Sequence, residues 1–318
     1  MTVGIPVYNG ENYLAEAIDS ILAQSFGDFE LLISDNASTD RTEAICREFA
    51  SRDPRIVYFR QPENLGAAHN YNFVFHNSHG EYFKWAAHDD LVDPQFLELA
   101  VAALDLHPEV PLVFSKTRKI DEHGKVVGTY GETYEQMRLS SPRPAERFGD
   151  MVCMPNNCVA LFGLMRKSQL ATTNLHAAYP GADRCLLGEL ALRGPVYEIP
   201  EYLFLRRDHP GAYTHQQNRT RYRMGWWDPS QQDRRSFPHW RRLKELRGSI
   251  ERANLPLAQR LACYGQLVRW LFAPKWYRQH WFKLIEDVVW AASLSIRGAR
   301  KNANDSGPQR PNQLSQAE

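Results

Sequence analysis

An α/β sheet of mostly parallel strands flanked by helices, with a helical C-terminal extension, is the fold class that this sequence predicts, on three observations. Over the first 115 residues, strand-like apolar runs alternate with segments whose apolar residues recur every three or four positions. Runs such as FELLIS and YFKWAA read as buried strands. From about residue 216 to 299, helical patterns dominate.

The elements follow in order. TVGIPVY (2–8) is a first strand; from Glu11 onward, Leu14, Ile18, Ile21 and Leu22 form one helical face. FELLIS (29–34) is the second strand, and Ser38, Thr39 and Asp40 stand where they cap a helix running to about Ser51. RIVYFRQ is the third strand; ENLGAAHNYNFVFHNSHG then supplies a turn, a helix and a stop at Gly80. YFKWAA is the fourth strand, Asp93 and Pro94 signal the start of the helix QFLELAVAAL, and PLVFSKT is the fifth strand. Farther on, DEHGKVVG predicts a hairpin turn, SSPRPAE a polar loop, CVALFGLMR a strand, ADRCLLGELALRG a helix closed by Gly194, and VYEIPEYLFLRRDH a strand. Residues 300–318 are polar enough to predict a disordered tail.

With 318 residues, 43% hydrophobic and 24% charged, the chain can bury a sizeable core, and no apolar run reaches the roughly 18 residues of a spanning helix. No basic leader with an apolar core opens it, which disfavours secretion. Cys46, Cys153, Cys158, Cys185 and Cys263 form no CxxC pair, so a disulfide framework or zinc ribbon is disfavoured and reduced thiols are expected. Residues 216–260 hold eleven Lys and Arg against four Asp and Glu, and seven of the eight tryptophans lie beyond residue 225. That mixture suits a lipid headgroup interface, although Trp-anchored helix packing accounts for it equally. The expected location is cytoplasmic, peripheral at the inner face of the cell membrane.

Ligands of open α/β sheets bind beyond the carboxyl ends of the strands. The reading places Pro6, Val7, Tyr8 and Asn9, then Asp35 and Asn36, then Glu63 to Gly66, then His88, Asp89 and Asp90 on that rim. In KWAAHDDLVDP no Lys or Arg follows the adjacent acids, so a metal ion is expected to supply the positive charge. Mg²⁺ or Mn²⁺ suits carboxylate oxygens and needs only one or two acids beside a diphosphate. Asp35, with three capping candidates just after it, is read as free to accept a ring N–H such as that of uracil. Asn64 and Gly66 either shape a turn or let backbone N–H groups approach phosphate. His69, His76, His79 and His88 show no HxxH or HExxH spacing and are read as structural.

The string GIPVYNGENYLAEAIDSILAQSFGDFELLISDNASTD, then NLG, then HGEYFKWAAHDDLVDPQFL resembles the nucleotide-sugar-binding half of family 2 glycosyltransferases of the GT-A fold, over about residues 1–120 and more weakly to Pro210. The resemblance implies that Pro6, Val7, Tyr8, Asn9 and Asp35 hold the base, that Asn64 and Gly66 lie near ribose or phosphates, and that Asn72 matches an Asn of the family's helix before the metal strand. The family's DxD motif becomes AHDD here; Asp90 aligns with its metal-binding acid, and Asp89 with a ribose contact or outer position. It further implies an inverting general base, for which Asp183 in YPGADRCLLGELALRG is chosen with Glu189 as fallback, and a closing segment in which His209 meets metal or diphosphate and Arg206 the diphosphate or acceptor. The implied organisation is a nucleotide-sugar half (1–120), an acceptor and base half (121–215), a helical basic extension (216–299) and the tail (300–318).

The resemblance points to single-sugar transfer from a nucleotide sugar, UDP first with dTDP and GDP behind it, to a glycan or lipid-linked acceptor in cell-envelope polysaccharide synthesis. No nucleic-acid partner is expected. WWDPSQQDRR does not supply the QxxRW motif of processive members. PVYNGENY lacks the glycine-rich, basic loop of a nucleotidylyltransferase and the DxD nucleophile of a haloacid-dehalogenase-like phosphatase. A degenerate relative that binds nucleotide sugar or a membrane partner without turnover is the competing reading.

Overall fold

The computed structural model describes residues 1–130, 132–212, 220–231, 237–272 and 280–289; the expected tail at 300–318 lies outside them. β1 (Thr2–Val7) is buried at every residue, which is why its sequence is apolar without alternation. It is followed by α1 (Leu14–Leu22), β2 (Glu30–Asp35), α2 (Thr42–Arg52), β3 (Ile56–Arg60), α3 (Ala67–His76), β4 (Tyr82–Trp85), the two-residue β5 (Leu91–Val92) and α4 (Phe96–Leu106). Then come β6 (Leu112–Ile120), β7 (Val126–Tyr130), α5 (Glu132–Glu135), α6 (Pro144–Cys153), β8 (Leu164–Arg166), α7 (Lys167–Leu170), α8 (Ala182–Arg193) and β9 (Val196–Arg207).

The strands form one nine-stranded sheet in the order β3-β2-β1-β4-β8-β6-β9-β5, with β7 also on β6. β1 to β4 are parallel, β8 runs against both β4 and β6, and β9 runs parallel to β6. The carboxyl ends of β1, β2, β3, β4, β6 and β9 therefore share one rim, and the sheet is mixed but mostly parallel, as expected. Pro200, which cannot donate to a ladder, sits where the β6–β9 register slips from Ser115 opposite Ile199 to Lys116 opposite Tyr202. The α3 helix lies so close to β1 that a Cβ on Gly4 would come within 2.8 Å of Val74.

Two hydrophobic clusters hold the described residues together. The larger joins the sheet to α1, α3, α4 and α8 through residues such as Ile5, Ile18, Leu31, Phe83, Phe114 and Leu190. The smaller packs Phe148, Val152 and Cys185 against Leu246, Ile250, Cys263, Leu267 and Trp270 of the extension. That extension consists of α9 (Thr220–Trp227), α10 (Pro238–Arg252), α11 (Leu257–Phe272) and a helical stretch at 280–289. Trp270 is fully buried and stacks on His280 at 4.0 Å between ring centroids, so this tryptophan serves packing, whereas Trp240 and Trp281 are exposed. All five cysteines are buried and free.

Three local expectations change. β5 was not foreseen, because a two-residue strand carries no periodicity. The SSPRPAE segment is a loop only to Arg143: Pro144 occupies the first turn of α6, and Ser141 Oγ donates to Glu146 Oε2 at 2.7 Å. CVALFGLMR divides into a 3₁₀ turn (Val159–Phe162) and β8, because Cys158 adopts a left-handed φ of 53° and donates its N–H to Asn156 Oδ1.

Candidate active site

The loop after β1 is braced by its own polar side chains. Asn9 donates its N–H to Ser38 Oγ (2.9 Å) and accepts from the Thr39 N–H (2.9 Å), while Tyr8 remains 43% exposed at the rim. Asn70 of α3 donates to the carbonyls of Ser34 (2.8 Å) and Val7 (3.3 Å), tying the tips of β1 and β2 together. Asn36 donates to Asn64 Oδ1 (2.9 Å) and accepts from the Leu65 N–H, which fixes the turn after β3.

Asp35 is not the free acceptor expected from the sequence. It is fully buried; Oδ1 accepts from the Ser38 N–H (2.8 Å), and Oδ2 from Tyr58 Oη (2.9 Å) and Arg60 Nη1 (3.1 Å). Gly66 does not offer its N–H to a ligand either, because it donates to Asn64 Oδ1 at 2.9 Å. Its φ of 86° suits glycine, and a Cβ there would stand 2.5 Å from the Trp227 carbonyl. Asn72 is occupied structurally: it donates to the His176 carbonyl (2.9 Å) and accepts from the His176 N–H (3.0 Å).

The acid pair after β4 meets the end of β9. β5 pairs antiparallel with β9, Leu91 opposite Leu205, which brings residues 206–209 alongside. His209 Nε2 lies 3.0 Å from Asp89 Oδ2, and the Arg207 N–H donates to Asp90 Oδ1 at 2.8 Å. The Arg207 side chain, fully buried, donates to the carbonyls of Asp89 (2.8 Å) and Glu122 (3.1 Å) and to Glu16 Oε2 (2.6 Å), with its guanidinium 4.6 Å from the Tyr13 ring centroid.

Burial raises the Asp90 carboxyl, and the neighbouring Asp89 charge raises it further against the pull of the Arg207 N–H. Burial also works to raise Asp89, but the His88 charge and the His209 contact outweigh it and hold that carboxyl below its ordinary range. Lys84, buried in β4, adds charge near Asp90 and is itself pushed down to about 7 by burial. The expectation that positive charge must come from outside the protein is thus corrected in part: Arg206 and Lys84 act on Asp90, and His88 and His209 on Asp89, while the Arg207 guanidinium is paired with Glu16. Carboxylate oxygens are donors that fit Mn²⁺ or Mg²⁺, and an imidazole beside them suits Mn²⁺ better than Mg²⁺, which prefers oxygen ligands.

Asp183 stands in the first turn of α8, behind the left-handed Gly181 at the cap position, and its Oδ1 accepts the Arg184 N–H at 2.8 Å. Arg184 in turn holds the carbonyls of Met154 (2.7 Å) and Asn156 (2.8 Å), anchoring that turn. Glu189, the fallback base, is 1% exposed and paired with Arg252 (2.7 Å) and Arg193 (3.1 Å), so it is unavailable to an acceptor.

A cleft of about 1270 Å³ connects these walls. Of the predicted residues, Pro6, Val7, Tyr8, Asn9, Asn64, Asp89, Asp90, Asp183, Arg206 and His209 line it, whereas Asp35, Gly66 and Asn72 do not. Arg206 donates to the Asn157 carbonyl at 3.2 Å and lies over the Tyr130 ring.

Residues 2–167, just over half of the chain, match the profile of glycosyl transferase family 2. The chain belongs to that family. An uncharacterized glycosyltransferase of Rickettsia typhi is 40% identical over 105 residues, 33% of this chain and 32% of that protein, so the match spans about a third of the relative's length. S. aureus TarS 1-349, solved in complex with UDP, has a TM-score of 0.62 at 16% identity, covering 91% of this chain and 80% of that one; it is also solved with UDP-GlcNAc. The mannosyltransferase PcManGT from Pyrobaculum calidifontis, in complex with GDP-Man and Mn²⁺, has a TM-score of 0.55 at 18% identity, covering 91% and 85%. The architecture is the GT-A fold that the resemblance implied.

Sequence reasoning on this family 2 chain missed several cleft residues. His88, read as structural, lines the cleft. Arg207 gave no signal apart from its neighbour Arg206, because its importance lies in contacts more than 80 residues away. His176 and Trp227, stacked with centroids 5.9 Å apart on the cleft wall, had no motif around them. No helix among the described residues is long and apolar enough to cross a membrane.

Proposed function

We propose that this chain is an inverting glycosyltransferase that moves a single sugar from a nucleoside-diphosphate sugar, UDP-linked first, to a hydroxyl of a glycan or lipid-linked acceptor. The observation that carries the reading is one cleft lined by the β1 and β4 tips, by Asp89, Asp90 and His209, and by Asp183. The complexes of TarS with UDP and UDP-GlcNAc, on the same fold, support the donor class.

Tyr8, Asn9 and Asn64 hold the nucleotide at the rim. The Asp183 carboxylate takes the proton of the acceptor hydroxyl as its oxygen bonds to the anomeric carbon; the bond from that carbon to the diphosphate oxygen breaks on the opposite face, and its electron pair leaves with the diphosphate. Asp90 and His209, with Asp89 bonded to His209, would hold Mn²⁺ or Mg²⁺, which would supply positive charge against the leaving diphosphate. Among the described residues no three His, Cys, Asp or Glu side chains are grouped to hold a cation. Arg206 reaches the diphosphate or the acceptor from the cleft wall.

Thermal unfolding with UDP, dTDP and GDP, each with and without Mn²⁺, tests the donor site. A ligand at 100 times its Kd stabilises the folded state by roughly 2.7 kcal/mol. One diphosphate is expected to raise the melting temperature in a Mn²⁺-dependent way that Asp90→Ala abolishes; no shift with any of the three at saturation would refute the reading.

The extension is proposed to contact the membrane that carries a lipid-linked acceptor. Leu257, Leu261, Val268 and Phe272 lie exposed along α11, and Phe282, Ile285 and Val289 along residues 280–289. Co-sedimentation with anionic vesicles is expected and should fall several-fold in Leu261→Ser/Phe272→Ser; equal sedimentation of both proteins would count against the contact.

A further inference from the structure

His176 is buried, and neither ring nitrogen has a hydrogen-bond partner among the described residues. Buried polar groups are rarely left unmet unless a ligand or water meets them. The residue is held firmly: Asn72 grips its backbone by both N–H and carbonyl, and its ring packs on Tyr71 (4.6 Å), Trp85 (4.8 Å) and Trp227 (5.9 Å). It lines the same cleft as Asp89 and Asp183. Burial pushes the imidazole down to about 4, so at neutral pH it offers one N–H donor and one acceptor without charge.

Building on the glycosyltransferase reading above, we infer that His176 determines specificity for the sugar carried by the donor nucleotide, its two ring nitrogens hydrogen-bonding hydroxyl groups of that sugar. Two observations favour the sugar over the diphosphate or the base. An uncharged imidazole matches neutral hydroxyls, whereas the diphosphate calls for positive charge, which the reading above assigns to Arg206 and to a cation at Asp90 and His209. The ring also rests on Tyr71 of α3 and Trp85 of β4 while sharing the cleft with Asp183. The transferred sugar must lie between the diphosphate and the general base, because its anomeric carbon is attacked opposite the leaving group.

The test is calorimetric titration of the full chain, with Mn²⁺ present, by UDP, UDP-GlcNAc, GDP and GDP-mannose. His176→Phe keeps the aromatic wedge and removes both nitrogens. It is expected to bind the nucleoside diphosphate within twofold of wild type and the sugar nucleotide at least tenfold more weakly. Asn72→Ala, which loosens the backbone grip and keeps the ring, should show a smaller loss with the same split. Unchanged sugar-nucleotide affinity in His176→Phe overturns the inference, and so does an equal loss for both ligands, which marks a purely structural wedge. Should wild type bind none of the four, the donor reading itself fails, and this inference with it.

Discussion

Asp183→Asn is expected to lower kcat by roughly 10²- to 10⁴-fold, the span typical of a lost general base. The substitution is nearly isosteric, and the amide oxygen can still accept the Arg184 N–H that Asp183 Oδ1 accepts at 2.8 Å, so the first turn of α8 keeps its conformation. What is lost is the carboxylate proposed to receive the acceptor proton. Donor affinity should stay within about threefold, since the proposed nucleotide contacts lie at the β1 and β4 tips and not on α8. Release of nucleoside diphosphate, with water or an added glycan as acceptor, measures the effect. A kcat within fivefold of wild type would remove Asp183 from the role, and wild-type protein that binds donor but never turns over would favour a degenerate binder.

Glu189→Ala is expected to act on stability, by about 3 kcal/mol, the low end of the range for breaking a buried ion pair. The carboxylate accepts from Arg252 Nε (2.9 Å) and Nη2 (2.7 Å), Arg193 Nη2 (3.1 Å) and Ser249 Oγ (3.1 Å), joining α8 to α10. Removing it leaves the Arg193 guanidinium, 7% exposed, without its carboxylate partner. Arg252 is 34% exposed and can rehydrate, which keeps the cost at the low end. Urea unfolding gives the difference, and turnover per folded molecule should match wild type. A change below about 1 kcal/mol would show that the cluster is solvated, and a large loss of kcat in the folded fraction would return Glu189 to the reaction.

Much of the architecture was legible in the chain alone, because strand and helix periods are local. The apolar runs at β1, β2 and β4 and the three- and four-residue spacing of Leu14, Ile18 and Ile21 depend on neighbours within about one turn. The acids Asp89 and Asp90 at a strand tip were visible for the same reason, as was Asp183 ahead of an apolar helix. Tertiary structure decided which groups meet those acids. Arg207 reaches Asp90 across 117 residues and His209 reaches Asp89 across 120, because β9 lies parallel to β6 and pairs with the two-residue β5. Strand order leaves no mark in local spacing, so a carboxylate pair that looked unpartnered in sequence acquired partners in space. The same reason accounts for Asn72, whose amide grips the backbone of His176, and for Asp35, whose Oδ2 is taken by Tyr58 and Arg60 of the neighbouring strand. Side-chain identity set which residues could do chemistry, and the order of the strands set which of them face a common cleft.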